Sequence, residues 1–135
     1  MILSFDILKQ ATPIKQFVIV LLVTGILMLL CQLFCENPEM VWFIAVSSLG
    51  FYVWANAVLG FFSKSSRLVY VIQSFLLFCV MAFLIIKAAS YLSGQTLNSL
   101  REYQIMVLAT FVFHIGGIIV CTIIKNVAEL MEINY

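Results

Sequence analysis

The sequence predicts an all-α fold: a four-helix transmembrane bundle with both termini cytoplasmic, forming a single integral membrane domain over residues 1–135. Three observations carry this reading. First, 64% of the residues are hydrophobic and 10% charged, whereas soluble domains hold about 45–50% apolar and about 25% charged residues. Second, the apolar residues gather into runs of about 20 or more, the length that crosses a hydrocarbon core about 30 Å thick. Third, the short connectors alternate in charge, acidic at Glu36-Asn37-Pro38-Glu39 and basic at Ser63-Lys64-Ser65-Ser66-Arg67.

The central pair of runs, Met40 to Tyr91, is joined by that basic connector, which is too short to do more than turn. Lys64 and Arg67 with no acid beside them place the turn on the cytoplasmic side by the positive-inside rule. This sets the direction of every other segment. Ahead of the first span, Met1 to Thr12 mixes Ile2, Leu3, Phe5, Ile7 and Leu8 with Ser4, Asp6, Lys9 and Gln10, a pattern suited to an N-terminal interfacial helix.

Thr12-Pro13 reads as an N-cap followed by proline at the first helical position, where the missing N–H costs nothing. The first span runs over about 14–34, with residues before Cys31 and Cys35 too bulky for a signal cleavage site. Asn37-Pro38 repeats the start signal for a second span over about 40–62, with Trp42 near the outer interface. Ser65 or Ser66 can cap a third span over about 68–90. The outer connection contains Gly94 and ends in Ser99-Leu100-Arg101-Glu102, which matches a capping box and opens a fourth span over about 100–124. The tail from Lys125 continues as a short helix. Lys9, Lys15, Lys64, Arg67 and Lys125 fall inside by this topology, and Lys87 and Arg101 outside.

Polar side chains within spans cost free energy unless paired, so helix assembly or function is sought there. Asn56 and Gln73 lie at the same depth, about 9 Å below the cytoplasmic surface at 1.5 Å per residue, and are expected to hydrogen-bond to each other. Ser48, Tyr52, Asn56 and Gly60 recur every four residues as one stripe of span two; Thr110, His114, Gly117, Cys121 and Lys125 form another on span four. Small residues there let helices approach closely. His114, the one histidine, falls near the bilayer midplane and suits either interhelical hydrogen bonding or ion coupling. Lys87 is expected to snorkel to the outer headgroups or to pair with Glu36, Glu39 or Glu102. Asn56, Gln73, His114, Lys87, Ser48 and Gly117 are thus the candidates for helix packing or a polar pathway.

Net charge is +1 with no block of like charges, which gives no basis for binding nucleic acid. The four cysteines are read as apolar fillers, since Cys31 and Cys35, four apart on one helix, do not meet disulfide geometry with each other. No grouping of nucleophile and base, metal-ligand motif or phosphate loop occurs, so no catalytic residue, cofactor or metal is expected and the chain is not expected to be an enzyme.

Four short spans with cytoplasmic ends resemble, in architecture, the small multidrug-resistance proteins and the GtrA-like proteins linked to polyprenyl-sugar translocation. The embedded glutamate of the first group has no counterpart between Phe17 and Phe34, and the polar end of span two in the second is matched only by Asn56 and Arg67. The resulting expectation is a small multi-pass protein in the lipid bilayer, of a bacterial inner membrane or an organelle. It would act as a subunit or accessory, immunity-type partner of another membrane protein. The alternative is a transporter or channel for an ion or small solute that self-assembles as a homo-oligomer, in the simplest case a dimer.

Overall fold

The computed structural model describes residues 12–62 and 66–133. Four helices account for nearly all of them: α1 Pro13–Phe34, α2 Glu39–Phe62, α3 Arg67–Ser93 and α4 Arg101–Ile133, with a single 3-10 turn at Leu97–Ser99 before α4. All four are long and apolar enough to cross a membrane. The expected interfacial helix at Met1 to Thr12 and the residues 63–65 of the basic turn lie outside the described residues, Thr12 excepted.

The helix starts follow local chemistry. Thr12 is the N-cap of α1, its Oγ1 accepting from Lys15 N at 3.4 Å with Pro13 next. Asn37 Oδ1 accepts from Glu39 N at 2.9 Å, bending the chain into α2 within a few residues of the end of α1. α3 stops at Gly94, whose φ of 69° is left-handed and whose N–H donates to Ser90 O at 3.1 Å. A side chain at that φ is strained, so glycine makes the stop cheap. The capping box expected at Ser99 does not form. Ser99 closes the 3-10 turn instead, donating its Oγ to Thr96 O at 2.7 Å, and α4 begins two residues later. α4 also continues unbroken through the expected tail; its 33 residues span about 50 Å at 1.5 Å per residue.

α2 is the central helix. It packs against α1, α3 and α4, while α1 also packs on α3, and α3 and α4 meet closely at few places. The core lies along α2 and α3, where Trp42, Leu49, Tyr52, Phe78, Met81 and Ile85 are all essentially inaccessible. Outward positions are equally apolar, among them Leu22, Leu33, Phe83, Leu108 and Phe113. An apolar exterior around helices that satisfy their own backbone is what a hydrocarbon solvent selects. α4 is the peripheral helix, with 17% of its most apolar window buried against 33% for α3. The gap between α3 and α4 is bridged by rings: Phe78 meets Phe111 edge-on at 4.7 Å between centroids.

Trp42, expected at the outer interface, is completely buried. Its indole Nε1 donates to Ser93 Oγ at 2.9 Å and its ring lies 6.3 Å from that of Tyr103. It fastens the end of α3 to the start of α2.

Candidate functional site

Inside the bundle, polar side chains from all four helices turn inward; Thr24 of α1 and Thr110 of α4 lie outside the ensemble that the others form. α1 supplies Gln16, α2 Tyr52 and Asn56, α3 Tyr70 and Ser74, and α4 His114, all of them buried. The four-residue spacing on α2 and α3 puts each pair on one face. Two linked groups result.

The first group centres on the Tyr70 hydroxyl. It accepts from Gln16 Nε2 at 3.3 Å and lies 3.0 Å from both the backbone O and the Oδ1 of Asn56. A phenol has one proton, so that proton is shared between the two acceptors. Three helices are thereby tied at one oxygen. The ring reaches this point because Gly60 leaves room: a Cβ there would lie 2.8 Å from Tyr70 Cε1.

The second group centres on His114. Its Nε2 lies 3.4 Å from Ser74 Oγ, while its ring stacks on Phe78 at 4.6 Å and 14°. Phe75 at 6.2 Å and Tyr52 at 6.5 Å complete an aromatic enclosure. Tyr52 joins the groups, sitting one turn from Asn56 and against the imidazole. Four buried polar atoms of the ensemble have no partner at full hydrogen-bonding distance among the described residues, Gln16 Oε1, Tyr52 Oη, Asn56 Nδ2 and His114 Nδ1, although the Tyr52 hydroxyl and the Asn56 side chain interact one turn apart. Buried groups of this kind are normally paired, since an unmet donor or acceptor costs about 1–3 kcal/mol.

A cleft of about 30 Å³ opens beside the first group, between α2, α3 and α4 where the last two separate. Asn56, Gly60 and Tyr70 line it on one side, Cys121 and Thr122 on another, with Arg67 and Lys125 also in its wall. Thr122 uses its hydroxyl proton on Ile118 O at 2.8 Å. Arg67 forms a salt bridge with Glu129 of α4. This pairing holds the long end of α4 against the start of α3.

The structure separates the sequence candidates. Asn56 and His114 are in the ensemble. Gln73 is not: it is exposed, and the expected Asn56–Gln73 hydrogen bond is replaced by Asn56–Tyr70. Equal depth fixes height along the bundle but not direction around the helix, and at 100° per residue the inward position falls to Ser74. Lys87 is exposed, its Nζ 5.8 Å above the ring of Phe83 on its own helix. It forms no salt bridge with Glu36, Glu39 or Glu102 among the described residues. Ser48 is half-buried in a groove between α1 and α2. Gly117 faces Ala57, with 3.4 Å between the Cβ it lacks and that of Ala57, so α2 and α4 approach closely there. Sequence reasoning missed Gln16, Tyr70 and Ser74. Tyr70, Ser74 and Phe78 recur every four residues on α3, a signal as strong as the stripes on α2 and α4.

Comparison with protein-family models, with curated proteins and with solved structures finds no match for this chain.

Proposed function

We propose that this chain is a small subunit or accessory, immunity-type partner of another membrane protein, bound within the bilayer through the face formed by α1, α2 and α4. The observation that carries the reading is the shape of that face. An exposed ridge of Phe51 and Trp54, ring centroids 6.2 Å apart, runs along α2. A groove of about 350 Å³ lies on its α1 side, with Thr24, Ser47 and Ser48 in its lining. Another of about 320 Å³ lies on its α4 side, with Gly50, Thr110 and Gly117 in its lining. Helices associate in lipid through close packing and interhelical hydrogen bonds rather than through a hydrophobic force. Two mainly apolar grooves flanking an aromatic ridge offer the close packing, and Ser47 and Ser48 in the α1-side groove offer hydroxyls.

In this reading the protein is not an enzyme, both termini are cytoplasmic, and the membrane is a bacterial inner membrane. The test is extraction of the tagged chain in mild detergent, with native mass spectrometry of the particle. A stoichiometric membrane partner, lost on Trp54→Ala, is the expected result; a chain that is always recovered alone overturns it.

A second reading, a self-assembling transporter or channel, is favoured by the buried polar ensemble around His114 and Tyr70. The polar cleft of about 30 Å³ is far too small for a solute passage in one copy. A homo-oligomer would therefore have to form the path. Reconstitution of the purified chain into liposomes distinguishes the readings: solute flux altered by His114→Ala supports the second, and silence across ions and small solutes removes it.

A further inference from the structure

We infer that the pocket at the end of α1 is a binding site for a soft monovalent cation of the cuprous type, held between the thiolates of Cys31 and Cys35. The inference does not depend on which partner the chain has.

The end of α1 builds the pair. Cys35 N donates to Cys31 O at 2.7 Å, so the last helical bond carries the chain through one turn and brings both side chains to one face. Both cysteines are free, and their thiols interact with each other. A disulfide needs its Cβ atoms about 3.5–4.5 Å apart, whereas residues four apart on a helix hold them at about 5–6 Å. That spacing suits one atom placed between the sulfurs better than a direct bond. Cys31 is buried and Cys35 exposed, and both line a pocket of about 200 Å³ that also has Gln32, Glu36 and Asn37 in its wall. The pocket is large enough to admit a hydrated ion. Glu36 is in its lining and no lysine or arginine is, so its field favours a cation.

Ligand number and softness select the metal. Among the described residues no group of three or more histidine, cysteine, aspartate or glutamate side chains is placed to hold a metal ion. Zinc, which takes four ligands in a structural site, therefore finds too few here. Thiolate is a soft ligand that selects cuprous copper, and a pair of sulfurs can hold that ion alone. Binding is an exchange of protons without transfer of electrons. Each thiol loses its S–H bond and gains a sulfur–metal bond, two protons leave through the pocket to water, and the copper enters and stays cuprous. Cys79 and Cys121, on α3 and α4, have no second thiol one turn away and do not line this pocket.

The experiment is an anaerobic titration of the full-length chain in detergent micelles with the cuprous acetonitrile complex, in competition with the chelator bicinchoninate, followed by native mass spectrometry. One copper per chain is expected, displaced by silver(I) and not by zinc. Cys35→Ser removes a ligand outright, so it should weaken binding by more than the ~10–100-fold that loss of a supporting partner costs a metal site. Cys31→Ser should do the same, and a Cys79→Ser, Cys121→Ser double variant should bind like the parent. Copper lost entirely to the chelator overturns the proposal, as does a Cys35→Ser variant that binds like the parent or a double variant that does not bind. If Cys31→Ser does not fold, Cys35→Ser, at an exposed position, decides alone. One copper per two chains would assign the metal to a bridge between the Cys35 thiols of two copies and overturn the site within one chain. Zinc displacing copper as effectively as silver would overturn the two-sulfur assignment.

Discussion

At one end of the bundle Trp42, Ser93, Tyr103 and Ala89 close a core in which hydrogen bonding is nearly complete; from the middle of the bundle, at Tyr52 and His114, to the other, open end, at Gln16 and Asn56, each of these four side chains leaves a buried polar atom without a bond at full hydrogen-bonding distance among the described residues. At the closed end Trp42 has one donor and Ser93 takes it, while Ser93 also accepts from Gln95 N at 3.2 Å. Only Gln95 Oε1 in that connection is buried without a partner. At the open end a cleft lies between α2, α3 and α4, and the Arg67–Glu129 salt bridge links α3 to α4. The contrast separates what holds the fold from what is available for binding. Residues of the closed core should matter through stability, and residues at the open end through what pairs with them.

The largest effect expected on this view is Trp42→Ala. It removes the biggest fully buried side chain and orphans Ser93, and truncation of a buried aromatic costs about 3–5 kcal/mol. Unfolding by sodium dodecyl sulfate in mixed micelles measures it. A loss below about 1 kcal/mol would mean that the closed end is not the anchor of the bundle.

Gly60→Ala comes next. Its Cβ would stand 2.8 Å from the Tyr70 ring, and that ring cannot swing aside without breaking the hydroxyl's bonds to Gln16 and Asn56. Overpacking of this kind costs about 1–3 kcal/mol. Gly25→Ala, where nothing lies within 4 Å, should instead be neutral or stabilising by up to about 1 kcal/mol from helix propensity. The same unfolding assay compares the two, and equal effects would show that the Tyr70 contact carries no constraint.

Tyr70→Phe keeps the ring and deletes the shared oxygen. Interhelical hydrogen bonds in membranes contribute about 0.6 kcal/mol on average and up to about 1.7; with three helices joined here the upper part of that range is expected. A double-mutant cycle with Gln16→Leu isolates the α1–α3 bond, and a coupling of zero would show that the α1 contact contributes nothing.

How much of this was legible in the sequence follows from which physical quantity each feature depends on. Span number and most ends depend on hydropathy and on local signals such as Thr12-Pro13, Asn37-Pro38 and Gly94, all of which are one-dimensional. Ser99 misled because its hydroxyl had two local uses, a capping box or a 3-10 turn, and only the path of the connection between α3 and α4 chose between them. Trp42 was placed correctly near a helix end but given the wrong solvent, since a tryptophan at that depth can face lipid or core. The inward stripes on α2 and α4 were readable because small and polar residues mark them. Gln16 was not, because it sits near a helix start, where a polar group reads as interfacial; Tyr70 also sits near a helix start, but its four-residue repeat with Ser74 and Phe78 was there to be read.

The smallest effect sharpens the comparison most. Gln73 and Ser74 are neighbours on α3, yet Gln73 is exposed while Ser74 is fully buried against His114. A polar amide on the outward face has no interhelical bond to lose, so Gln73→Leu should change stability by no more than about 0.5 kcal/mol, the usual range for a surface position. Ser74→Ala removes the partner of His114 Nε2 and should cost more, near the 0.6 kcal/mol average for such bonds. If Gln73→Leu proves the costlier of the two, α3 is rotated by about one residue, or 100°. The Tyr70 hydroxyl would then no longer face Asn56, and the open end of the bundle would have to be rebuilt around Gln73.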